Sequence, residues 1–146
     1  MKGYLNKPKE TEKAFVKVGT KKYLRTGDIG YVNEDGAVFF KSRLKRLIIS
    51  KGYNVYPTNI EEVTLKCKSV EACACVGIPD EVRGEKICVF IVKKPDASER
   101  VIRKDLNKIY KKYLAKYELP RELKFIDELP KTKLAKVDFM ALKSRG

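Results

Sequence analysis

The sequence predicts an α+β fold, in which a small mixed or antiparallel sheet is flanked by helices and preceded by a β-hairpin. Short apolar or alternating runs, which are typical of strands, recur between turn signals rich in Gly, Pro, Asn and Asp. Between them lie segments with helical apolar spacing, the longest over residues 98–114. The chain has 146 residues, 43% of them hydrophobic. Such a chain can form one domain with a core, or one domain and part of another.

The first 42 residues predict a hairpin but little core of their own. A loop followed by a short helix starting near Thr11 opens the chain, and its low apolar content implies that it packs against something else. A β-hairpin is expected over residues 23–42. Its strands and turns are Tyr23-Leu24, a Thr-Gly-Asp turn at 26–28, strand 29–32, an Asn-Glu-Asp-Gly turn at 33–36 and strand 37–40.

The stretch from Ser42 to Glu61, SRLKRLIISKGYNVYPTNIE, organises the next part of the chain. Residues 47–49 predict a short buried strand, and Ser50-Lys51-Gly52 predicts a turn in which Gly52 takes a positive φ. Thr58 and Glu61 have the spacing of a capping box, so a helix is expected from Thr58 to about residue 66.

Basic residues surround this strand and turn rather than one helix face: Arg43, Lys45, Arg46 and Lys51. This placement suits a loop that binds an anionic ligand. A solvated hairpin with ordinary surface lysines explains the same spacing equally well.

The remaining elements complete the expected sheet. A strand over 70–78 is followed by a loop at 79–84 and by a continuous apolar run, 86–92, that predicts a central strand covered on both faces. Ser98 is expected to cap a helix that ends at Leu114. Its predicted buried face comprises Val101, Ile102, Leu106, Ile109, Tyr110 and Tyr113. An edge strand over 123–126, a basic loop LPKTKLAKVD and a short helix near 138–143 follow.

Composition narrows the classes of function. Thirty-three Lys and Arg against nineteen Asp and Glu give a net charge of +14, which favours anionic partners: nucleotide phosphates, nucleic acid or an acidic protein surface. The basic residues are densest over 100–116, where a polar helix face is preferred to a nucleic-acid site. The chain has no histidine, which excludes Ser-His and Cys-His catalysis and most catalytic zinc sites.

The cysteines and the hydropathy of the chain indicate its cellular location. Cys67, Cys73, Cys75 and Cys88 form no C-x-x-C pair and are expected to be small buried residues of a reduced protein. No run approaches 18 apolar residues, so no membrane span is predicted. The first ten residues lack the apolar core of a signal peptide, and a cytoplasmic location is therefore expected.

Three ordered motifs resemble one enzyme family. They are TGDIGYVNEDGAVFFKSRLKRLIISKGYNVYPTNIEEV, VGIPDEVRGEK and ELPKTKLAKVD. In this order and spacing they resemble the C-terminal part of the AMP-forming acyl-CoA synthetases, of the adenylate-forming superfamily, and the resemblance covers almost the whole chain. GYNVYP is more similar to fatty or aromatic acyl-CoA ligases than to peptide-synthetase domains.

The resemblance implies a two-step ligase. A carboxylate attacks the α-phosphate of ATP to give an acyl-adenylate and pyrophosphate, and the thiol of CoA then displaces AMP. Both steps build charge on phosphate or carbonyl oxygens, so they require lysine, arginine and magnesium rather than histidine. ATP, magnesium and CoA are the implied substrates and ion, none of them expected to be tightly bound to this chain, and a fatty acid is the implied carboxylic acid.

Residue roles follow from the same resemblance. Asp28 and Arg43 match the pair that approaches the ribose of the nucleotide, where an ionised Asp accepts both hydroxyl hydrogen bonds. Lys45 matches the hinge between the two domain orientations. Lys136 matches the catalytic lysine that contacts the carboxylate and the α-phosphate during adenylation. The turn Lys51, Gly52 and Tyr53 matches the loop that lines the tunnel for CoA.

Four positions depart from the pattern that the resemblance implies: Ser42 and Ala135 stand where glycine is usual, Asn59 where glutamate is usual, and Asn54 where a basic residue is common. Ala135 is expected to stiffen the loop that carries Lys136. The other departures weaken the expected CoA and phosphate contacts more than the fold.

The resemblance also implies a domain organisation. Residues 1–44 are expected to be the end of a large N-terminal domain, and residues 45–146 to form a mobile C-terminal domain. The partner is then the N-terminal domain of the same enzyme, and this chain alone is expected to be inactive. The alternative is a stand-alone basic module that binds nucleic acid or another anion. The sequence lacks the RNP-like, helix-turn-helix and zinc-finger patterns that would favour it, and no nucleic acid is expected.

Overall fold

Two units, Met1–Lys45 and Arg46–Gly146, make up the computed structural model, which describes all residues from 1 to 146. The first unit contains a helix and two small sheets. The second contains a five-stranded sheet with three helices.

The first unit is built from two antiparallel strand pairs. Helix α1 spans Pro8–Ala14 and leads into β1 (Phe15–Val18), which pairs with β2 (Lys21–Leu24). Strands β3 (Asp28–Val32) and β4 (Val38–Arg43) form the second pair. The predicted hairpin is therefore present, but residues 23–24 pair with β1, a strand that the sequence analysis missed.

The start of α1 also differs from the prediction. The helix begins at Pro8 rather than near Thr11, because proline fits the first helical position, where its missing N–H has no partner to lose. Thr11 lies inside the helix, where its Oγ1 accepts a hydrogen bond from the Tyr4 amide and donates one to the Lys7 carbonyl.

The first unit has no buried apolar core of its own. None of its hydrophobic side chains is fully buried, and several are well exposed: Val18, Tyr23, Leu24, Tyr31, Val32, Val38, Phe39 and Phe40. Two-stranded sheets offer too little area to bury such side chains without a covering layer. The expectation that this part of a protein needs a further surface to pack against stays a prediction.

The second unit contains the mixed sheet that the sequence predicts. Its strands are β5 (Ile48–Ser50), β6 (Tyr53–Val55), β7 (Val70–Asp80), β8 (Gly84–Lys93) and β9 (Glu122–Phe125). The antiparallel order is β6-β5-β8-β7, and β9 lies parallel to β8 at residues 88–91. The fold class is confirmed, including the edge position of β9, although β6 was not predicted.

Strand β8 lies between two apolar clusters. Its side chains Ile87, Val89 and Ile91 join the cluster that contains residues of α2 (Pro57–Thr64) and α3 (Glu99–Tyr113). The alternate residues Cys88 and Phe90 join a second cluster with Leu142 of α4 (Phe139–Lys143). Since alternate side chains of a strand point to opposite faces, the two clusters lie on the two faces of the sheet. The predicted central strand is confirmed.

Helices α3 and α4 lie where the sequence predicts them, but the predicted cap of α3 does not form. Ser98 is at the N-cap of α3, but its side chain makes no capping hydrogen bond. Asp138 caps α4 as a side chain, accepting from the amides of Met140 and Ala141 at 3.0 Å each. On α3, Ile102, Leu106 and Tyr110 are buried as predicted. Val101 and Tyr113 are half-exposed, which corrects the predicted buried face.

The predicted capping box of α2 is wrong. The helix begins at Pro57, after an N-cap at Tyr56, so Thr58 lies within its first turn. The carboxylate of Glu61 is engaged elsewhere, because its Oε1 accepts from the Cys75 amide at 2.8 Å and from the guanidinium of Arg46. These partners, distant in the sequence, hold the Glu61 carboxylate and prevent it from capping α2.

Arg46 connects three elements of the second unit. Its guanidinium pairs with Glu61 of α2 and stacks over the ring of Phe139 at 3.8 Å, at the start of α4. Both charged side chains are mostly buried, with 19% and 16% of their surfaces exposed. The Nε of Arg46 is buried without a hydrogen-bond partner, so the ion pair and the aromatic contact carry the stabilisation.

A buried hydroxyl pair links the two helices on the same face of the sheet. Thr64 Oγ1 of α2 and Tyr110 Oη of α3 lie 2.8 Å apart. Burial raises the pKa of Tyr110, so its hydroxyl stays protonated at neutral pH and can donate this bond.

No helix of the chain is both long and apolar enough to cross a membrane.

Replacing Glu61 with Ala is expected to lower the free energy of unfolding by about 3 kcal/mol, since it leaves the Arg46 charge and the Cys75 amide unpaired. Urea denaturation followed by circular dichroism measures the change. The control is Glu62→Ala, on the same helix but exposed, which should stay within about 0.5 kcal/mol. Equal effects from the two variants would contradict the role assigned to Glu61.

Candidate functional site

The two residues expected to approach a ribose are neighbours in the first unit. Asp28 and Arg43 are cross-strand partners at the open end of the β3–β4 hairpin. Arg43 Nε lies 2.8 Å from Asp28 Oδ1, with 38% of the Asp28 side chain and 62% of the Arg43 side chain exposed. The Asp28 amide donates to Thr26 Oγ1 at 3.1 Å, which orders the turn before it. The structure thus brings the predicted pair together on an accessible edge.

Lys45 is the last residue of the first unit. It lies in a single 3₁₀ turn, Leu44–Arg46, directly after β4. The amide of Leu44 donates to the Gly27 carbonyl at 2.7 Å, so the chain is held up to residue 44. The lysine itself is exposed and, with Arg25, Thr26 and Gly27, borders a cavity of about 630 Å³.

The turn Lys51, Gly52 and Tyr53 joins β5 to β6. Both Lys51 and Gly52 have positive φ, 52° and 79°, as the tight two-residue hairpin turn requires. The predicted positive φ of Gly52 is confirmed. Tyr53 stacks on Tyr117, with ring centroids 4.7 Å apart, and the Lys51 amide donates to the Arg83 carbonyl at 2.9 Å. The turn is exposed to solvent, and its contacts with Tyr117 and Arg83 fix its position.

Lys136 follows a hairpin turn that the sequence analysis described only as a basic loop. Lys131 and Val137 form an antiparallel bridge, and the Thr132 amide donates to the Lys136 carbonyl at 2.7 Å. The Ala135 amide donates to the Thr132 carbonyl at 2.9 Å, and Ala135 has a φ of 58°. This is a type I turn followed by a left-handed residue. Lys136 is therefore exposed at the first position after a defined turn.

The two hairpins of the second unit are anchored in different clusters. Ile48 and Val55, at the base of the β5–β6 hairpin, belong to the cluster under α2 and α3. Val137 and Phe139, directly after Lys136, pack against the cluster on the opposite face of the sheet. The candidate residues of this unit therefore form two separate sites rather than one.

Asn59 has a structural partner that accounts for its identity. Its Nδ2 donates to Glu118 Oε1 at 3.0 Å, in the 3₁₀ turn Lys116–Glu118 that also carries Tyr117. A glutamate at residue 59 would place two carboxylates together at this point. The substitution thus fits the local packing of this chain.

The thiols are poorly suited to nucleophilic chemistry. Burial, with the charge of Glu61 second, raises the pKa of Cys73 to about 12, and burial raises the pKa of Cys88 to about 11. Both stay protonated at neutral pH, and the four cysteines form no disulfide. No group of three or more carboxylate or thiol side chains is arranged so that it could hold a metal ion.

A family model decides the relationship of this chain to known proteins. The model of the AMP-binding enzyme C-terminal domain matches residues 59–136, just over half of the chain. The chain belongs to this family. The match ends at Lys136, so the predicted catalytic lysine is within the family's own segment.

Similar proteins agree with this assignment. The chain is 42% identical over 130 residues to 2-succinylbenzoate–CoA ligase of Geobacillus sp. (strain WCH70), covering 89% of the chain and 25% of that enzyme. It is 38% identical over 137 residues to long-chain-fatty-acid–CoA ligase of Bacillus subtilis (strain 168), covering 94% and 23%. The structure of an ATP-bound RpMatB–BxBclM chimera superposes with a TM-score of 0.87 at 32% identity, covering 99% and 28%. The chain thus spans about a quarter of the length of these relatives.

Ala135→Gly is expected to stabilise the Lys136 hairpin. A left-handed φ costs a non-glycine residue about 1–2 kcal/mol, whereas glycine adds back about 0.5–1 kcal/mol of backbone entropy. The hydrogen-exchange protection of the Thr132 amide should therefore rise about two- to fivefold.

The opposite change provides the comparison. Ala135→Val places a β-branched side chain at the same φ and should lower protection of that amide. If the glycine variant also lowers protection, the turn does not depend on this conformation.

Proposed function

We propose that this chain is the C-terminal portion of an AMP-forming acid–CoA ligase, in which Lys136 acts in the adenylation step. The observation that carries the proposal is the placement of Lys136 on an ordered hairpin, anchored in the sheet by Val137 and Phe139, within the segment that matches the family. A lysine held in this way can reach a ligand with a flexible stem while its backbone stays fixed.

The proposed chemistry has two steps. A carboxylate oxygen attacks the α-phosphorus of ATP, the bond to pyrophosphate breaks, and an acyl-adenylate forms. The sulfur of CoA then attacks the acyl carbon, and AMP leaves. In the first step the ammonium of Lys136 contacts the carboxylate and the α-phosphate, where negative charge concentrates as the new bond forms.

Asp28 and Arg43 are proposed to bind the ribose of the nucleotide. The exposure of Asp28 supports this role, because a carboxylate at an open edge can accept hydrogen bonds from two hydroxyls at once. Arg43 holds the carboxylate in place through the 2.8 Å ion pair and adds a donor beside it.

Lys45 is proposed as the hinge, and Lys51, Gly52 and Tyr53 as the wall of the CoA tunnel. The boundary between the two units falls directly after Lys45, which supports a pivot there. The separate anchoring of the two hairpins supports alternation, in which one domain orientation presents Lys136 and another presents the 51–53 turn.

The acid that we expect is a fatty acid, as in the long-chain-fatty-acid–CoA ligase of Bacillus subtilis. The chain is at least as similar to the 2-succinylbenzoate–CoA ligase of Geobacillus, so 2-succinylbenzoate is the competing candidate for the acid.

We further propose that residues 1–44 complete a large N-terminal domain and residues 45–146 form the mobile domain. No observation favours the alternative of a nucleic-acid-binding module.

Lys136→Ala should lower adenylation at least about 100-fold, because it removes a charge from the reacting phosphate. The test is a chimera in which this chain replaces the last quarter of the Bacillus subtilis ligase, with both acids supplied and pyrophosphate release measured. Formation of the thioester from synthetic acyl-adenylate and CoA should change less than about threefold, since that step does not use Lys136.

Lys133→Ala is the matched control, because Lys133 is an exposed lysine of the same turn. It should leave both half-reactions unchanged. Equal losses from the two lysines, or equal losses in the two half-reactions, would contradict the role of Lys136.

The chain alone should form no detectable acyl-adenylate from ATP and either acid, because the acyl pocket is proposed to lie in the part of the N-terminal domain that precedes residues 1–44. Radiolabelled ATP and thin-layer chromatography measure this with the purified 146-residue chain. Acyl-adenylate formation by the chain alone would overturn the proposed division between domains.

A further inference from the structure

The solvent side of α3 carries a row of basic residues that form no salt bridges. Ile102, Leu106 and Tyr110 face the core, and the exposed basic residues on the outward side define the cationic face: Arg100, Lys104, Lys108, Lys111 and Lys112. None of these five forms a salt bridge. The row extends roughly 18 Å along the helix axis.

This arrangement is unfavourable for the isolated helix. Arg100, Lys104, Lys108 and Lys112 are spaced four residues apart, and like charges at that spacing repel by about 0.2–0.5 kcal/mol per pair. Stable solvated helices commonly interleave carboxylates at these positions. In α3 the only carboxylates are Glu99, in the first turn, and Asp105, which is half-buried. An anionic partner would remove this repulsion.

Neighbouring residues extend the cationic face and add apolar groups at its border. Lys66 and Lys68 line a cavity of about 320 Å³ together with Lys108 and Asp105, so three basic residues share this cavity with one carboxylate. The ring of Tyr113 lies 5.2 Å from Lys66 Nζ and 5.1 Å from Lys112 Nζ. Three side chains of this region are about half-exposed: Leu65, Val101 and Tyr113.

We propose that the cationic face docks on the anionic surface of a phospholipid bilayer. A cluster of four to eight basic residues on an amphipathic helix is the pattern that anionic lipid headgroups attract. Long lysine stems adapt to mobile headgroups without a fixed geometric match. The exposed Leu65, Val101 and Tyr113 can lie at headgroup level, where amphipathic and apolar side chains are stable.

Other anionic partners fit these residues less well. Single-stranded nucleic acid is bound in a groove with several stacking aromatics, whereas this face is a convex helix surface with one aromatic ring, Tyr113, at its end. A second copy of the chain is repelled, because each copy carries a net charge of +14.

The test is co-sedimentation of the 146-residue chain with vesicles of phosphatidylcholine alone or with about one-third phosphatidylglycerol, at about 0.1 M salt. Binding is expected only to the anionic vesicles and should weaken as salt rises. The triple variant Lys104→Gln/Lys108→Gln/Lys111→Gln should lower the partition coefficient about 100-fold, at roughly fivefold for each charge.

The matched control is Lys2→Gln/Lys9→Gln/Lys17→Gln, which removes the same charge from exposed lysines of the first unit. It should keep partitioning within about threefold of the parent chain. Glutamine and lysine have similar helix propensities, and circular dichroism checks that both variants stay folded.

Three results would overturn the proposal. They are absence of binding to anionic vesicles, equal binding to neutral vesicles, and an equal loss in the two triple variants. Tighter binding to RNA or duplex DNA than to the anionic vesicles, lost in the α3 variant, would assign the face to nucleic acid instead. These measurements involve neither ATP nor Lys136, so their outcome is independent of the proposed ligase function.

Discussion

The burial of β8 on both faces is the constraint on which the second unit depends. Hydrogen bonds join this strand to β7 along one edge and to β5 and β9 along the other. Its alternate side chains fill two separate clusters, so neither helical layer can be displaced without exposing apolar surface. The candidate residues of this unit lie on two hairpins that pack against this sheet: residues 51–53 join β5 to β6, and Lys136 precedes Val137 and Phe139.

The candidate residues differ in whether the backbone or the side chain is held in place by the rest of the unit. Backbone hydrogen bonds fix the turns at Lys51 and Lys136, while both side chains extend into solvent. Arg46 is the opposite case, because its side chain is mostly buried between Glu61 and Phe139. The side chain of the residue after the proposed hinge is thus held on two sides, so a pivot here would use residues before Arg46.

Periodicity and turn chemistry predicted most of the second unit, and failed where distant contacts decide the outcome. The apolar run 86–92, the spacing of Ile102, Leu106 and Tyr110 and the short helix near 138–143 are local signals, and the structure follows them. The capping box failed because Glu61 binds Arg46 across the fold. The turn before Lys136 was missed because alanine at a positive φ carries no turn signal in a sequence. The expectation that Asp28 and Arg43 share one site came from a family resemblance and not from their spacing, and the ion pair between them is seen only in the structure.

The stacking of Tyr53 on Tyr117 gives this chain an intrinsic optical signal at a useful place. The sequence contains eight tyrosines and no tryptophan, so its ultraviolet emission comes from tyrosine alone and is not masked by indole. The two stacked rings lie at the β5–β6 hairpin and the 3₁₀ turn beside it. A molecule that separates these rings changes the near-ultraviolet circular dichroism, because that signal depends on the asymmetric surroundings of each ring. Near-ultraviolet circular dichroism can thus detect a change in the stacking of Tyr53 on Tyr117 without an attached dye.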